Sequence, residues 1–420
     1  MNHKKMDLAV KKIVKQPKAQ TASDESARPI LLLTIDNGSA HTRAAEAIAA
    51  AWRQINDRIP ARIVEVSGFM SPLARFTHIT AYLWLVKNAP SVWKKIDAHQ
   101  KRQTQTSPEW FYRRGCRKLF DLAREIQPCA IVATEVGCGE IGALIKRDLN
   151  LDVPLVVVSL DCDADRAWIQ PEVDLYCLAT DLIENDFLKY GAAADKIRIW
   201  GVPLAKEFKD LTDAERRKVR EKVCGEFGFE ANNPLVLISG GGEGLGAIEA
   251  VVKSLLDLPA QLIVLTGRNK KLKMRLEKIA DRREIKILGW TENVAKLMHA
   301  ADVSVSKLGL TFYEAMACAL PIIALEPPPG AEWIQYQLLK KFGVGRAVKT
   351  AAEASNAVGE LLANNNKLRE MRVKTKVFGA SEATENLAVW LADQIAADHK
   401  NTARKMEMAG EKLNYCEVAR

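Results

Sequence analysis

The residues whose types and spacing could do chemistry lie in short loops that follow apolar runs. In ISGGGEGLGAIEAVVKSLL, five glycines at 240, 241, 242, 244 and 246 separate a strand-like run from a helical one. Glycine lets backbone amides approach an anion closely and a helix amino terminus stabilises its charge, so Gly241, Gly242 and Glu243 fit a diphosphate. A merely tight turn is the competing account, because glycine is also the usual turn residue. No such loop follows the first strand, as a dinucleotide fingerprint requires, and the Lys-Ser/Thr ending of an ATP-binding loop is missing. Next, VSKLGLTFYEAMACALP places Lys307, Gly309, Thr311 and Glu314 at a strand end and along the first turns of a helix. Glu314 can accept both hydroxyls of a ribose while Thr311 and nearby amides face phosphate; equally, it can be an early-helix acid favoured by the dipole. Gly267, Arg268 and Asn269 form a turn after another apolar run, and Trp290 follows Gly289 at a strand end. A base could rest on that indole, although a core position is the commoner fate of a tryptophan. His41 stands in a polar loop between ILLLTI and a helical pattern from Ala44 to Trp52. Taken alone it is an ordinary loop residue, able to cap backbone or to exchange a proton near neutral pH.

The elements that position these loops alternate strictly. ILLLTI, ARIVEVS, CAIVATE, PLVVVSLD, DLYCLAT and IRIWG read as strands in the first half; PLVLIS, QLIVLTG, IKILGW, DVSVSK, PIIALE and GRAVKT do so in the second. Continuous apolar runs without polar alternation are the mark of parallel strands covered by helices on both faces. Two such β/α arrays, joined near residue 205, predict an α/β fold of two Rossmann-like doubly wound domains facing a cleft. The expected divisions are a basic leader over 1–29, one domain over 30–204, a second over 205–378, and a helix returning to the first domain plus a tail over 379–420. The leader reads as a solvated tail or a weak amphipathic helix on anionic lipid.

A chain of 420 residues, 48% hydrophobic and 27% charged, is long enough for two cores. No run of eighteen apolar residues is present, and lysines interrupt the first thirty residues, which excludes a spanning helix and a secretory signal there. Eight scattered cysteines without a CxxC pair read as thiols in a reducing, cytosolic compartment, with no zinc site. The net charge of +9 favours an anionic partner. Nucleic acid is set aside because no recognition motif accompanies the charge. The segment from Gly68 to Arg102 offers Phe76, Tyr82, Trp84 and Trp93 beside Lys94 and Lys95, the composition of a helix lying on an anionic membrane surface. A basic helix packed on its own domain would show the same periodicity.

The ordered series GGGEG, TGRNKKL, GW followed by LM, SKLGLTFYEAMACALP and PPPGAE resembles the glycosyltransferases of the monogalactosyldiacylglycerol synthase and processive diacylglycerol glucosyltransferase type. The lipid-linked N-acetylglucosaminyltransferase of peptidoglycan synthesis belongs with them. The likeness runs from about residue 30 to 375, and GSAHTRAAEAI is similar to that family's GGGHRASAEAI. It implies a GT-B fold, an acceptor-binding amino domain, and a carboxyl domain for a UDP-sugar. It also implies inverting transfer to a membrane lipid, diacylglycerol or a glycolipid, with no cofactor or metal required, by a peripheral protein on the cytosolic face. It gives His41 the role of general base or acceptor-orienting residue. Asp161 falls where the family carries an acceptor-side aspartate, and Gly330, Ala331 and Glu332 fall at the sugar. Three departures stand out. Ser39 and Ala40 replace glycines, Ala331 replaces a glutamine, and Asp165 stands where the family has a histidine. Two other readings stay open: transfer of N-acetylglucosamine to a polyprenyl-linked acceptor, and a nucleotide-sugar-binding membrane protein that no longer catalyses.

Overall fold

The computed structural model describes residues 28–397 apart from 36–38, 82–83, 86–88, 101–102, 162–163, 280–283, 326–332 and 380–381. The leader, Tyr82 and the segment containing Gly330, Ala331 and Glu332 therefore lie outside the described residues, as do the side chains of Trp93 and Lys94.

The apolar runs become the strands of two six-stranded sheets, and every neighbouring pair is parallel. The first sheet comprises β1 (Ile30–Thr34), β2 (Ala61–Glu65), β3 (Ala130–Ala133), β4 (Leu155–Ser159), β5 (Leu175–Leu178) and β6 (Ile197–Arg198), in the order β2-β1-β3-β4-β5-β6. The second comprises β7 (Leu235–Ser239), β8 (Gln261–Leu265), β9 (Ile285–Leu288), β10 (Val303–Ser306), β11 (Ile322–Leu325) and β12 (Gly345–Val348), in the order β12-β11-β10-β7-β8-β9. Leu31, Leu32 and Leu33 on β1, and Leu235 to Leu237 on β7, are wholly buried, as strands covered on both faces must be. With its solved neighbours described below, this is the GT-B arrangement.

The helix Ala40–Ile55 shows how the sequence positions the first loop. Its inner face is Ala44, Ala45, Ala47, Ile48, Ala49 and Trp52, so small residues let the axis lie close to the sheet. Trp52 anchors the far end, buried, with its indole N–H donating to the Ile59 carbonyl at 2.7 Å. Burying a side chain such as Ile48 stabilises by about 1.5–3 kcal/mol. The helix thus has a fixed amino end, and His41 is its second residue.

After β6, shorter than the run IRIWG, residues 199–212 lead to the helix Asp213–Phe227, which starts with a reciprocal capping box between Thr212 and Glu215. The Thr384 hydroxyl donates to the Leu204 carbonyl at 3.0 Å and accepts its amide at 3.1 Å. A helix over 383–397 places Ala383, Leu387 and Leu391 in the same apolar cluster as Ile30, Trp52 and Leu235. The segment over 68–102, expected to be helical, forms short pieces among its described residues. They include a wide turn, Phe76–Thr80, with the π-helical pattern, and a helix Pro90–Gln100.

Candidate active site at the facing switch points

In a doubly wound sheet, ligands bind beyond the carboxyl ends of the strands, where the strand order reverses. The reversal falls between β1 and β3 in the first sheet and between β7 and β10 in the second. His41 follows β1; Thr134 and Glu135 follow β3; the glycines follow β7; Lys307 to Glu314 follow β10. His41, the glycine loop and the Lys307 to Glu314 motif therefore lie at the two places where the topology leaves a crevice, while Gly267 to Asn269 and Trp290 follow the neighbouring strands β8 and β9.

The His41 ring is fixed across the first switch point. Its Nδ1 lies 2.5 Å from the Thr134 carbonyl, and the Thr134 hydroxyl donates back to the His41 carbonyl at 3.2 Å. A carbonyl oxygen only accepts, so Nδ1 carries the proton and the neutral ring keeps its lone pair on Nε2. That is the tautomer a general base needs.

Ser39, just before this helix, has φ +72°, the left-handed region. This is a position where the resembling family has glycine, so the chain retains the glycine-like backbone with a serine. The strain costs about 1–2 kcal/mol.

Glu135 is a residue that the sequence reading missed. Its carboxylate caps the helix Val136–Asp148 by accepting from the Cys138 amide at 3.1 Å. Burial pushes its pKa up, the field of His41 opposes this, and Asp161 raises it further. His41, Glu135 and Asp161, from the ends of β1, β3 and β4, thus share one electrostatic neighbourhood. The available signal was an acid immediately after a switch-point strand, in CAIVATE. Asp161 itself is exposed, and Trp168, beyond Asp165, is a core residue at 3% exposure.

The glycine loop differs from expectation in one respect. It does not open directly into a helix: the helix Ile248–Leu255 begins after a separate turn, with Ala247 at its cap. Most of the glycines serve that turn. Gly241, Gly244 and Gly246 have φ of +69°, +58° and +89°. A Cβ on Gly240 would come within 2.5 Å of the Leu245 carbonyl, and one on Gly244 within 2.3 Å of that of Thr266. Gly242 is different, since its missing Cβ admits the other domain: it would meet the Ser39 hydroxyl at 2.8 Å and the Trp290 ring at 3.2 Å. The two switch points are therefore in contact.

Around this contact, Gly267 turns with φ +55° and the Arg268 amide donates to the Gly242 carbonyl at 2.8 Å. The Arg268 guanidinium pairs with Glu243 at 3.1 Å and lies 4.2 Å from the centre of the Trp290 ring. Trp290 is 42% exposed, so it is no core residue. Asn269 has a local structural role: its side-chain oxygen accepts from the Leu272 amide at 2.9 Å at the start of the helix Lys270–Ile279. On the β10 side, the Lys307 side chain approaches within 3.5 Å of where a Gly241 Cβ would stand. Gly309, with φ +85°, donates its amide to buried Gln335 at 2.5 Å. Thr311 is half-buried, and Glu314 is buried at 2% exposure. Glu314 accepts from Arg43, of the first domain, at 2.9 Å.

Of the proposed membrane segment, Leu73, Phe76, Trp84, Val92 and Trp110 are each more than half exposed, and Lys95 is exposed. The segment is tied to the rest of the first domain through the residues that follow it. His78 stacks on Phe111 at 4.9 Å and bonds the Ser107 hydroxyl at 2.8 Å. Buried Glu140 accepts from the Thr106 amide at 2.7 Å, from the Thr106 hydroxyl, and from the Tyr112 hydroxyl at 3.0 Å. Burial, against these hydrogen bonds, pushes the Glu140 pKa up to about 8.

A carboxyl raised in the folded state contributes stability below its unfolded pKa, and that contribution is lost as pH rises through about 8. The Tm of Glu140→Gln relative to the native chain is therefore expected to rise steadily between pH 5 and 8.5 in thermal melts. A pH-independent difference would contradict the burial of this charge.

Residues 41–204 match the family model described as monogalactosyldiacylglycerol (MGDG) synthase, and residues 245–364 match glycosyl transferases group 1. The chain is 24% identical over 375 residues to the processive diacylglycerol beta-glucosyltransferase of Staphylococcus epidermidis, covering 88% of this chain and 93% of that one. It is 25% identical over 396 residues to the enzyme of the same name from Bacillus licheniformis, covering 90% and 98%. Among solved structures it resembles Acinetobacter baumannii MurG, with TM-score 0.55, 14% identity, and 87% and 99% coverage. It also resembles Anabaena HepE in complex with UDP-glucose, with TM-score 0.52, 14% identity, and 89% and 99% coverage.

Proposed function

From the premise that the chain belongs to the glycosyltransferases of the monogalactosyldiacylglycerol synthase and processive diacylglycerol glucosyltransferase type, we propose that it moves a hexose from a UDP-sugar to a membrane lipid. The acceptor is diacylglycerol or a glycolipid, and the anomeric configuration inverts. The observation that carries this reading is the apposition of His41 and the glycine turn, each at the switch point of its own sheet, with Ser39 meeting Gly242.

In this reading the acceptor hydroxyl attacks the anomeric carbon from the side of the first domain. Its proton passes to His41 Nε2, the new glycosidic bond forms, and the bond to the diphosphate breaks on the opposite face. The departing UDP is stabilised by amides of the glycine turn and by Lys307, so that no divalent cation is required. Glu314 takes the ribose hydroxyls, and the base lies by Trp290 and Arg268. Glu135 and Asp161 stabilise the imidazolium as it forms.

The protein works from the cytosolic face as a peripheral protein on anionic lipid. No helix among the described residues is long and apolar enough to cross a membrane. The exposed Phe76, Trp84 and Trp110 supply the apolar contact. Each such side chain is already partly covered by the protein, so it offers roughly 100 Å² to lipid, worth about 2.5 kcal/mol at ~25 cal/mol/Å² and still above the ~1.4 kcal/mol of a tenfold change. Phe76→Ala with Trp110→Ala is expected to weaken sedimentation with anionic vesicles by about tenfold or more, with UDP affinity unchanged. Native vesicle binding by that double variant would exclude this surface.

The direct test supplies labelled UDP-glucose, UDP-galactose, UDP-glucuronate and UDP-N-acetylglucosamine to the protein with vesicles containing diacylglycerol or a polyprenyl-linked acceptor. Label in the diacylglycerol lipid phase is the expected result. Transfer to the polyprenyl lipid alone would select the alternative acceptor. Absence of transfer and hydrolysis with every donor, together with absence of UDP binding in calorimetry, would dispose of the proposal. UDP binding without turnover would instead mark a non-catalytic binder.

A further inference from the structure

We propose that Arg43 of the first domain is a positioning residue of the donor site: it holds the Glu314 carboxylate in place for the donor's ribose, so that the nucleotide site is complete only when the two domains are apposed. The inference rests on the reading of Glu314 as the ribose ligand and goes beyond it by assigning that ligand a partner from the acceptor side.

The geometry is specific. Arg43 Nη1 lies 2.9 Å from Glu314 Oε1, joining the first turn of the helix Ala40–Ile55 to the helix Leu310–Ala317 across the cleft. The Glu314 side chain is 3% exposed and that of Arg43 27%. The guanidinium also lies 5.5 Å from the centre of the Trp290 ring, on which Arg268 is stacked. Arg43 thus meets the places assigned to ribose and base while standing two residues from His41 on the same helix. A carboxylate offers about four lone-pair directions, so an arginine on one oxygen leaves acceptors for a diol.

Electrostatics gives the contact a consequence. Burial raises the pKa of Glu314, and Arg43 opposes the rise through its charge and its hydrogen bond. Cys318, one turn on, lies in the field of Glu314, and its own pKa is raised by burial and then by Glu314. Lys307 lies on the preceding loop, and Arg216 approaches from the helix Asp213–Phe227 to donate to the Cys318 carbonyl at 3.0 Å. Without Arg43, the upward effect of burial is unopposed and Glu314 holds its proton to higher pH. A protonated acid is a poorer acceptor for two hydroxyls.

The test is UDP affinity by calorimetry from pH 6.5 to 9 for the native chain, Arg43→Gln, Arg43→Lys and Glu314→Gln, with thermal melts to establish folding. Arg43→Gln is expected to weaken UDP about tenfold at pH 6.5, with the loss shrinking as pH rises, whereas Arg43→Lys restores most of the affinity. Native affinity and pH profile in Arg43→Gln would overturn the inference, and so would a loss equal at every pH, which denotes only a missing domain contact. If Glu314→Gln weakens UDP while Arg43→Gln behaves as native, this inference alone fails. If Glu314→Gln binds UDP as the native chain does, the ribose reading fails and takes the inference with it.

Discussion

Replacing His41 by alanine is expected to lower kcat by about two to four orders of magnitude, the usual contribution of a positioned general base. UDP affinity is expected to stay within about twofold, because uniform binding of donor and transition state is untouched when only a proton acceptor is removed. The size of the effect follows from the way the ring is held. Nδ1 is tied to the Thr134 carbonyl at 2.5 Å, and Thr134 is itself wholly buried, so the tautomer and the ring plane are set before substrate arrives. His41→Gln, which can orient a hydroxyl but cannot take its proton near neutral pH, is expected to be as inactive as the alanine variant. Steady-state transfer rates with saturating donor decide the matter. A His41→Gln variant with near-native kcat would make the residue an acceptor-orienting group and move the base elsewhere.

The second large effect is expected at Gly267. A Cβ there would stand 2.1 Å from the Gly242 carbonyl oxygen and 2.6 Å from its carbon, and the backbone has φ +55°. Both neighbours are backbone, so no side-chain rotation relieves the clash, and the glycine turn must move away from Ser39 and Trp290. Gly267→Ala is therefore expected to weaken UDP binding by more than about tenfold, equivalent to ~1.4 kcal/mol or more. Gly228→Ala is the control: its φ is +71°, yet nothing lies within 4 Å of its absent Cβ. Both variants carry a left-handed alanine, with a penalty of about 1–2 kcal/mol, but Gly228→Ala is expected to lower Tm alone. Equal UDP affinity in the two variants would show that the turn's shape is not what binds the donor.

The sequence disclosed the sheets because both are parallel and buried on two faces. Runs such as LLL in β1 and VVV in β4 then have no reason to alternate, and only helices separate them. The loops were legible for a related reason: left-handed backbone and close approach leave few options besides glycine, so GGGEG and TGR mark turns whatever else they do. What those glycines do was less legible. Gly244 and Gly267 are required by contacts with backbone from another segment, which no local pattern records, and Gly240 by the return of its own turn at Leu245. Gly242 answers to Ser39, about two hundred positions earlier in the chain.

The same limit explains the missed residues. Glu135 looked like the end of a strand, and its meaning comes from His41 and Asp161 converging on it from neighbouring strand ends. Arg43 was not singled out within TRAAEAI, and only the facing of the two domains gives it Glu314. Trp290 shows the converse. The core is tryptophan's usual fate, yet its place at a strand end also suited a base, and it stands partly exposed beside two guanidiniums at the cleft. The breaks between 68 and 100 come where Ser71 caps a new helix at Pro72 and where the wide turn at Phe76–Thr80 follows it, neither of which helical periodicity records.

A crystal structure of the protein with UDP tests the central claim most directly. The expected result is a diphosphate against the turn formed by Gly241, Gly242 and Glu243, the ribose hydroxyls on Glu314, and the distal phosphate oxygen directed across the cleft toward His41. UDP bound away from the β7 and β10 strand ends, or with its phosphates turned from His41, would contradict it.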